Sequence, residues 1–179
     1  MARFEVAGPL AVRSPFAGLI RPGQHGRPGR VALTIEDVSQ RGLASLALSA
    51  PAPFGAVRRG VAIHVTTQPD QTLVVGDPYE PLDLMALSGS VTDLTGSRAI
   101  LRVSGPYWRE ALSALLPIDL HPAAFGPGAA AATFAAHLSV LVWRADGTEA
   151  VEIAVYRSFA GALLHAAEEA AAPYGYETR

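Results

Sequence analysis

Residues 99–115, which read AILRVSGPYWREALSAL, carry the pattern that decides the fold. Residues 99–103 are an apolar run typical of a strand, and the turn Ser104-Gly105-Pro106 follows, with its proline suited to the first position of a helix. Beyond the turn, apolar residues recur at intervals of three and four, which places them on one face of a helix. These residues are Trp108, Ala111, Leu112 and Leu115. The stretch therefore predicts a strand followed directly by an amphipathic helix, which Pro117 ends.

Two strands and a second helix are predicted downstream of this unit. Residues 133–143 and 149–155 have the apolar character of strands, and Asp146-Gly147 between them is typical of a hairpin turn. In the second strand Val, Ile and Val alternate with Ala, Glu and Ala, so we expect one buried and one exposed face. Residues 157–171 predict a final helix. Its apolar stripe consists of Phe159, Leu163, Ala167 and either Ala170 or Ala171.

The order strand, helix, hairpin, helix matches most of a βαββαβ (ferredoxin-like) unit, in which helices cover one face of an antiparallel sheet. Upstream, residues 31–76 predict further strands, and segments 61–66 and 72–76 form a hairpin about a proline-containing turn at residues 68–71. The predicted fold class is therefore α+β, with a single domain over residues 31–172.

The first 30 residues differ from the rest in charge and composition. They contain five arginines and one acid, a net charge of +4, whereas the rest of the chain has a net charge of −6. Their many glycines and prolines disfavour regular secondary structure. We interpret residues 1–30 as a basic N-terminal arm, either flexible or ordered on a partner, and residues 173–179 as a C-terminal tail. Nucleic-acid binding is a weaker alternative, because aromatic residues do not interleave the arginines and the rest of the chain is acidic.

The chain of 179 residues contains no Cys, no Asn and no Lys. The absence of Cys excludes disulfides, thiolate nucleophiles and Cys-ligated metal centres, and the absence of Lys excludes a Schiff-base lysine and a Walker A phosphate loop. No apolar run approaches about 18 residues, the length of a membrane-spanning helix, and the N-terminus lacks the apolar core of a signal peptide. A cytoplasmic protein is expected.

No catalytic or metal-binding constellation is evident among the remaining residue types. The five histidines show no metal-ligand spacing beyond the pair His165 and Glu168, which lie three residues apart on the predicted helix. His64 and His137 are placed in predicted strands. A serine-nucleophile elbow and a dinucleotide-binding glycine fingerprint are both missing. We therefore predict no catalytic, cofactor-binding or metal-binding residue on this chain.

Three segments carry a resemblance to a known family. The first is SPFAGL at residues 14–19, and the second is VTDLTGSRAILRVSGP at residues 91–106. The third begins with LPIDLHP at residues 116–122, continues with FGPG at residues 125–128 and ends with YRSFA at residues 156–160. Together they resemble the gamma subunit of heterotetrameric sarcosine oxidase, over most of the C-terminal half and locally near the N-terminus.

The resemblance implies a role in a multisubunit enzyme. That complex oxidatively demethylates sarcosine to glycine and passes the one-carbon unit to tetrahydrofolate, using FAD, FMN, NAD and tetrahydrofolate. The gamma subunit resembles a partial aminomethyltransferase folate-binding domain. It is implied to be non-catalytic, to carry no cofactor, and to assemble with the alpha subunit in a complex that also holds beta and delta subunits. An isolated gamma chain can self-associate through its uncovered docking face.

Three other interpretations stay open. The first is a free-standing tetrahydrofolate-binding protein of the aminomethyltransferase-like fold. The second is a gamma-like subunit of a related N-methyl amino acid dehydrogenase, since residues 68–73 depart from the family pattern by lacking its Trp. The third is a hydrolase that uses His121 or His165 with a carboxylate.

Seven residues are candidates for docking to the alpha subunit. They are Arg13, Phe16, Leu19, Arg98, Arg102, Asp119 and His121. Arg98 and Arg102 share one face of a predicted strand. Their expected partners are Asp93, Asp119 or acids of another subunit. The segment Asp119-Leu120-His121-Pro122 predicts a fixed turn in which Asp119 accepts backbone N–H groups, a contact surface for the alpha subunit being the alternative.

Overall fold

The structure is a computed structural model that describes residues 13–77, 80–145 and 147–179. Within these ranges the N-terminal half contains strands β1 (Gly23–His25), β2 (Leu33–Asp37), β3 (Leu43–Ala47), β4 (Gly55–Arg59), β5 (Ala62–Gln68), β6 (Gln71–Val75) and β7 (Ser90–Asp93). The C-terminal half contains β8 (Arg98–Ser104), β9 (Ala130–Ala135), β10 (Leu138–Trp143), β11 (Val151–Tyr156) and β12 (Tyr176–Thr178). The two α-helices of these ranges are α1 (Trp108–Ser113) and α2 (Ala160–Ala171), and short 3₁₀ turns lie at Leu84–Ala86, Arg157–Phe159 and Ala172–Tyr174.

The strands form two sheets. The seven-stranded sheet has the order β1-β12-β2-β8-β11-β10-β9, and the five-stranded sheet has the order β4-β5-β6-β3-β7. Every neighbouring pair is antiparallel except β12 and β2, which run parallel. The predicted hairpin of residues 61–66 and 72–76 is confirmed as the antiparallel pair β5 and β6.

The seven-stranded sheet is the central layer, because both of its faces are covered. Helices α1 and α2 pack on one face, where Leu101 of β8 and Leu163 of α2 belong to one buried core, the helix-side core. The five-stranded sheet packs on the other face, where Ile100 of β8 shares a second core with Val65 of β5 and the fully buried Trp143 of β10. Adjacent residues of β8 thus serve different cores, since side chains alternate between the faces of a strand.

The expectation of one exposed face on residues 149–155 is wrong. Strand β11 is buried except at its last residue, Tyr156, and Glu152 is only 6% exposed. The alternation of apolar and polar residues is present, but the face that carries Glu152 lies under the five-stranded sheet. A buried glutamate resembles a surface residue in the sequence, because a strand pattern carries no sign of a second sheet above it.

The predicted βαββαβ unit is not the observed order. From β8 onward the elements run strand, helix, three strands, helix, strand. The predicted strand at residues 133–143 is two strands, β9 and β10, joined by a two-residue turn at Ala136 and His137, whose φ angles are 44° and 71°. Such turns normally carry Asn or Gly, so this pair leaves no turn signal in the sequence. His137 therefore lies in a turn, and Asp146 of the predicted hairpin turn lies outside the described residues.

The predicted arm and tail contribute to the sheet in the described residues. Residues 1–12 lie outside the described part, but the segment after them contains β1 and places Phe16, 1% exposed, in the helix-side core. The predicted tail contains β12, which lies between β1 and β2. Backbone hydrogen bonds between distant residues hold this part, such as the one from Ala32 N to Gly175 O at 2.9 Å. Such bonds leave no side-chain pattern, so the sequence did not predict these strands.

The apolar faces predicted for the helices are confirmed except at Phe159 and at Leu115, which lies beyond the end of α1 and is only partly buried. On α1, Trp108, Ala111 and Leu112 are buried, and on α2 the same holds for Leu163, Ala167 and Ala171. Phe159 is 48% exposed, because it belongs to the 3₁₀ turn before α2 and not to the helix itself. Within the described ranges, no helix has the length and apolar character needed to cross a membrane.

Candidate functional site

A buried ion-pair network centres on Glu152 of β11. Arg41, in the loop between β2 and β3, donates Nη1 to Oε2 and Nη2 to Oε1 of Glu152, both at 3.2 Å. Arg102 of β8 donates Nη2 to Oε1 of Glu152 at 2.8 Å and Nη1 to Oε2 of Glu36 at 3.4 Å. Glu152 therefore lies between two guanidinium groups, which offsets the free energy of burying its charge.

The acids that pair with Arg102 are not the predicted Asp93 and Asp119. Arg102 stands opposite Glu152 in the ladder of β8 and β11, and opposite Glu36 in the ladder of β2 and β8. Burial by itself would lower the pKa of Arg102, but the charges of Glu152 and then Glu36 outweigh burial and raise the pKa. The Arg102 guanidinium is therefore engaged within this chain.

The predicted turn at residues 119–122 is confirmed. Asp119 Oδ1 accepts a hydrogen bond from the N–H of His121 at 2.8 Å, and His121 Nδ1 accepts one from the N–H of Ala123 at 3.2 Å. Leu120 packs into the helix-side core, and its carbonyl accepts a bond from Arg109 Nε at 3.0 Å. Among the described residues, no hydrogen bond or ion pair joins this turn to the other five docking candidates.

The N-terminal docking candidates divide into a buried and an exposed group. Phe16 is 1% exposed, so its ring anchors the N-terminal segment in the core and is not available to a partner. Leu19 is 47% exposed and lies beside α2, where a Cβ on Gly161 would stand 3.7 Å from its Cδ1. Arg13 is exposed, and its carbonyl accepts a hydrogen bond from Arg157 Nη2.

Three exposed residues and one half-buried arginine around the start of α2 form a surface that we call the α2 surface. It consists of Arg13, Leu19, Arg157 and Phe159. The two apolar side chains are about equally exposed and flank the first turn of α2. In the described part of the chain, neither arginine pairs with a carboxylate, and Arg157 Nη1 donates to the carbonyl of Gly96 at 3.3 Å. The α2 surface thus combines apolar area with two positive charges that lack an acidic partner.

A cleft of about 490 Å³ opens between the two sheets at one end of the ladder of β8 and β11; we call it the intersheet cleft. Arg98 and Tyr156 are directly opposed in that ladder, and the Arg98 Cζ lies 3.7 Å from the centroid of the Tyr156 ring. The other polar residues that line the cleft are Ser45, Thr67, Gln68, Gln71, Thr92, Ser97 and Ser139. Tyr156 was not a sequence candidate, because only the strand register brings it against Arg98.

A second cleft, of about 710 Å³, lies between the N-terminal segment and β2. The charged residues that line it are Glu36, Asp37, Asp77, Arg102 and Arg179. Asp37 accepts hydrogen bonds from Ser14 Oγ and from the N–H of Ser39, the latter at 2.9 Å. This carboxylate therefore fastens the segment that carries Phe16 to the end of β2.

The histidines form no metal centre with other described residues. Groups of three or more His, Asp or Glu that could hold a metal ion do not occur in the described ranges. His165 Nε2 lies 3.4 Å from Glu169 Oε1, one residue beyond the predicted Glu168, and both side chains of this pair are largely exposed. His64 of β5 is half-buried, and burial, followed by the charge of Arg59, lowers its pKa.

Residues 83–173 match the family model described as the sarcosine oxidase, gamma subunit family. The sarcosine oxidase subunit gamma of an Arthrobacter species is 46% identical over 56 residues, which cover 31% of this chain and 28% of that protein. The same subunit of Corynebacterium sp. strain P-1 is 39% identical over 77 residues, which cover 43% of this chain and 37% of that protein. The matched part therefore spans well under half of the length of these relatives.

Two solved structures share the fold. A chain of the heterotetrameric sarcosine oxidase from Corynebacterium sp. U-96, in complex with pyrrole 2-carboxylate, superposes with a TM-score of 0.74 and 25% identity, over 90% of this chain and 95% of that chain. The glycine cleavage system aminomethyltransferase T from Bartonella henselae superposes with a TM-score of 0.52 and 14% identity, over 78% of this chain and 46% of that chain. The second likeness concerns the fold alone. Because the family match covers just over half of the chain and the first likeness covers nearly all of it, the chain belongs to the sarcosine oxidase gamma subunit family.

Proposed function

We propose that this chain is a non-catalytic gamma subunit of a heterotetrameric sarcosine oxidase and that it assembles with the alpha subunit. The observation that carries the proposal is the likeness to a chain of such a complex over 90% of this chain. The complex is proposed to demethylate sarcosine oxidatively to glycine and to pass the one-carbon unit to tetrahydrofolate. FAD, FMN, NAD and tetrahydrofolate are proposed to bind on other subunits.

Contacts within the chain occupy the side chains that could act as a general acid or base, which supports a non-catalytic role. A general acid or base must reach the proton that it transfers, whereas Glu152 is buried and pairs with Arg41 and Arg102. His121 accepts a bond from its own loop, and His165 is paired on the outer surface of α2. These contacts account for the two histidines without a reaction.

The proposed contact with the alpha subunit is the α2 surface. Its apolar side chains, Leu19 and Phe159, are 47% and 48% exposed, and burying such area drives association. Its two arginines lack an acidic partner among the described residues, although the chain as a whole has a net charge of −2. The partner surface that fits therefore has an apolar centre with Asp or Glu at its rim.

Co-purification of the full chain with a tagged alpha subunit from the same organism tests the proposal. Phe159→Asp replaces one of the two apolar side chains of the α2 surface by a charge, and we expect recovery of the chain to fall at least about tenfold. Met85→Asp is the matched control, because Met85 is 93% exposed on the 3₁₀ turn Leu84–Ala86, outside the five-stranded sheet. This variant should co-purify like the unchanged chain.

The outcomes separate the parts of the proposal. If the unchanged chain never co-purifies with the alpha subunit, the assembly role is wrong. If Met85→Asp and not Phe159→Asp abolishes recovery, the subunit role stands and the contact is on the other side of the molecule. Calorimetric titration of the isolated full chain with tetrahydrofolate tests the proposal that this cofactor binds on other subunits. Measurable binding would support the free-standing folate-binding interpretation instead.

A further inference from the structure

The intersheet cleft carries charge of one sign. Among the described side chains that line the cleft, Arg98 alone is charged. No Asp or Glu of the described ranges comes within 4.0 Å of its guanidinium. The side chain is half-buried at the start of β8. By contrast, Arg41 and Arg102 both pair with Glu152. Arg98 therefore lacks a counter-ion that the described chain supplies.

Tyr156 holds the Arg98 guanidinium in place. The Tyr156 ring stacks on one face of the guanidinium, with the ring centroid 3.7 Å from Arg98 Cζ. The register of β8 and β11 places the two residues directly opposite each other. Stacking uses the face of the guanidinium and leaves the N–H groups in its plane free to bind an anion. The pair thus presents a fork of donors whose position is determined by the sheet.

We propose that the intersheet cleft binds a small organic carboxylate through Arg98 stacked on Tyr156. One guanidinium carries one positive charge, so it matches a carboxylate, and its fork pairs with both carboxylate oxygens. A phosphate dianion calls for a second cation, which the described lining residues do not include. Hydroxyl side chains of the lining, such as Thr92 and Ser139, provide hydrogen bonds to the body of the ligand.

The size of the cleft suits this class of ligand. Its volume of about 490 Å³ lies within the range of about 300–1,000 Å³ that small-molecule sites occupy. The inference goes beyond the proposed function, because an assembly subunit requires no ligand of its own. Its test is separate from that of the proposed function, because the α2 surface contains neither Arg98 nor Tyr156.

Calorimetric titration of the full chain with benzoate tests the proposal, with neutral benzamide as the paired control. We expect benzoate to bind with a Kd on the order of 1 mM and benzamide to bind at least about tenfold more weakly. Arg98→Gln should weaken benzoate binding to the level of benzamide. Arg58→Gln removes an equal charge from an exposed position on β4, outside the cleft, and should leave benzoate binding unchanged.

Variants of Tyr156 distinguish a positioning role from a merely structural one. Tyr156→Phe keeps the ring that stacks on Arg98 and should bind benzoate like the unchanged chain. Tyr156→Leu removes the ring and should weaken binding several-fold, with the NMR signal of the Arg98 Nε–H no longer shifted by benzoate. Thermal melting of each variant verifies that it is folded, and Arg98→Lys, which keeps the charge but loses the fork, serves if Arg98→Gln does not fold.

Three results would overturn the proposal. They are the absence of benzoate binding to the unchanged chain, equal binding of benzoate and benzamide, and equal losses in the Arg98 and Arg58 variants. Equal losses would mean that benzoate responds to net charge alone. None of these results bears on co-purification with the alpha subunit, so the two proposals fail separately.

Discussion

Arg41 and Glu152 form a two-pronged ion pair in the interior of the molecule. Their side chains are 1% and 8% exposed, and both hydrogen bonds measure 3.2 Å. Arg41 lies where the chain passes from β2 of the seven-stranded sheet to β3 of the five-stranded sheet, so the pair fastens this crossing to β11. The same carboxylate holds Arg102, which makes Glu152 the common partner of two arginines.

Glu152→Ala should destabilise the chain strongly. The substitution leaves the buried guanidinium of Arg41 without its counter-charge, which costs about 3–5 kcal/mol. Urea denaturation measures the change in the free energy of unfolding. Glu169→Ala is the matched control, because Glu169 lies 3.4 Å from His165 in a pair whose side chains are both largely exposed, and its loss should cost less than about 1 kcal/mol. Similar losses in both variants would contradict the structural importance of the buried pair.

Phe16→Ala should act on stability, in line with its place in the helix-side core. Removing a buried phenylalanine ring costs about 3–5 kcal/mol, because apolar burial is lost and a cavity is left. Leu19→Ala, three residues on and 47% exposed, should cost less than about 1 kcal/mol. Chemical denaturation of the isolated chain compares the two. A Phe16 variant of unchanged stability would show that the ring is not part of the core.

Gly175→Ala should be far more damaging than Gly18→Ala, although both glycines have a left-handed φ, 74° and 79°. A Cβ at Gly175 would lie 1.9 Å from the carbonyl oxygen of Arg30, whereas a Cβ at Gly18 meets nothing within 4 Å. The Gly18 variant should lose about 1–2 kcal/mol from backbone strain, and the Gly175 variant about 2–5 kcal/mol from strain and overlap together. Melting temperatures of the two variants test this order. Equal losses of stability would show that Gly175 does not lie against the carbonyl oxygen of Arg30.

His64 should make the stability of the chain fall at acidic pH. Burial and Arg59 lower its pKa from 6.5, so the unfolded chain takes up the proton more readily than the folded chain. Stability is therefore complete above the ordinary pKa of 6.5 and falls as the pH drops below it toward the folded-state pKa.

The control is His64→Gln, which does not titrate. As the pH falls from about 7.5 to about 5, the unchanged chain should lose more of its unfolding free energy than this variant. A difference that stays constant over this range would contradict the lowered pKa.

Several parts of this molecule could be predicted because their signals are local. The face of α1 follows from a spacing of three and four, and the turn at Asp119 follows from a side chain that bonds to its own backbone two residues on. The family resemblance rests on contiguous motifs of the same kind. Strand β12 lacks such a signal, because its pairing with β1 and β2 depends on backbone groups far away in sequence.

The candidate site illustrates the same limit. The sequence indicates that Arg98 and Arg102 share a strand face, but it does not predict their partners. Tyr156 and Glu152 reach them only through the register of two strands about 50 residues apart. The sequence predicts Phe16 on a partner surface, because an apolar residue in a Gly- and Pro-rich segment shows no periodicity that would indicate burial. Its burial appears only when that segment folds against the helices.

The amino-acid order alone was enough to predict an α+β chain that resembles the gamma subunit family, because residue spacing, turn chemistry and motifs are properties of neighbouring residues. The folded chain alone showed that the central sheet is covered on both faces, that Glu152 is buried between two arginines, and that Arg98 meets Tyr156 at the intersheet cleft. These relationships join residues that are distant in sequence. They arise from strand register and from the packing of one sheet on another, neither of which is encoded by any single segment.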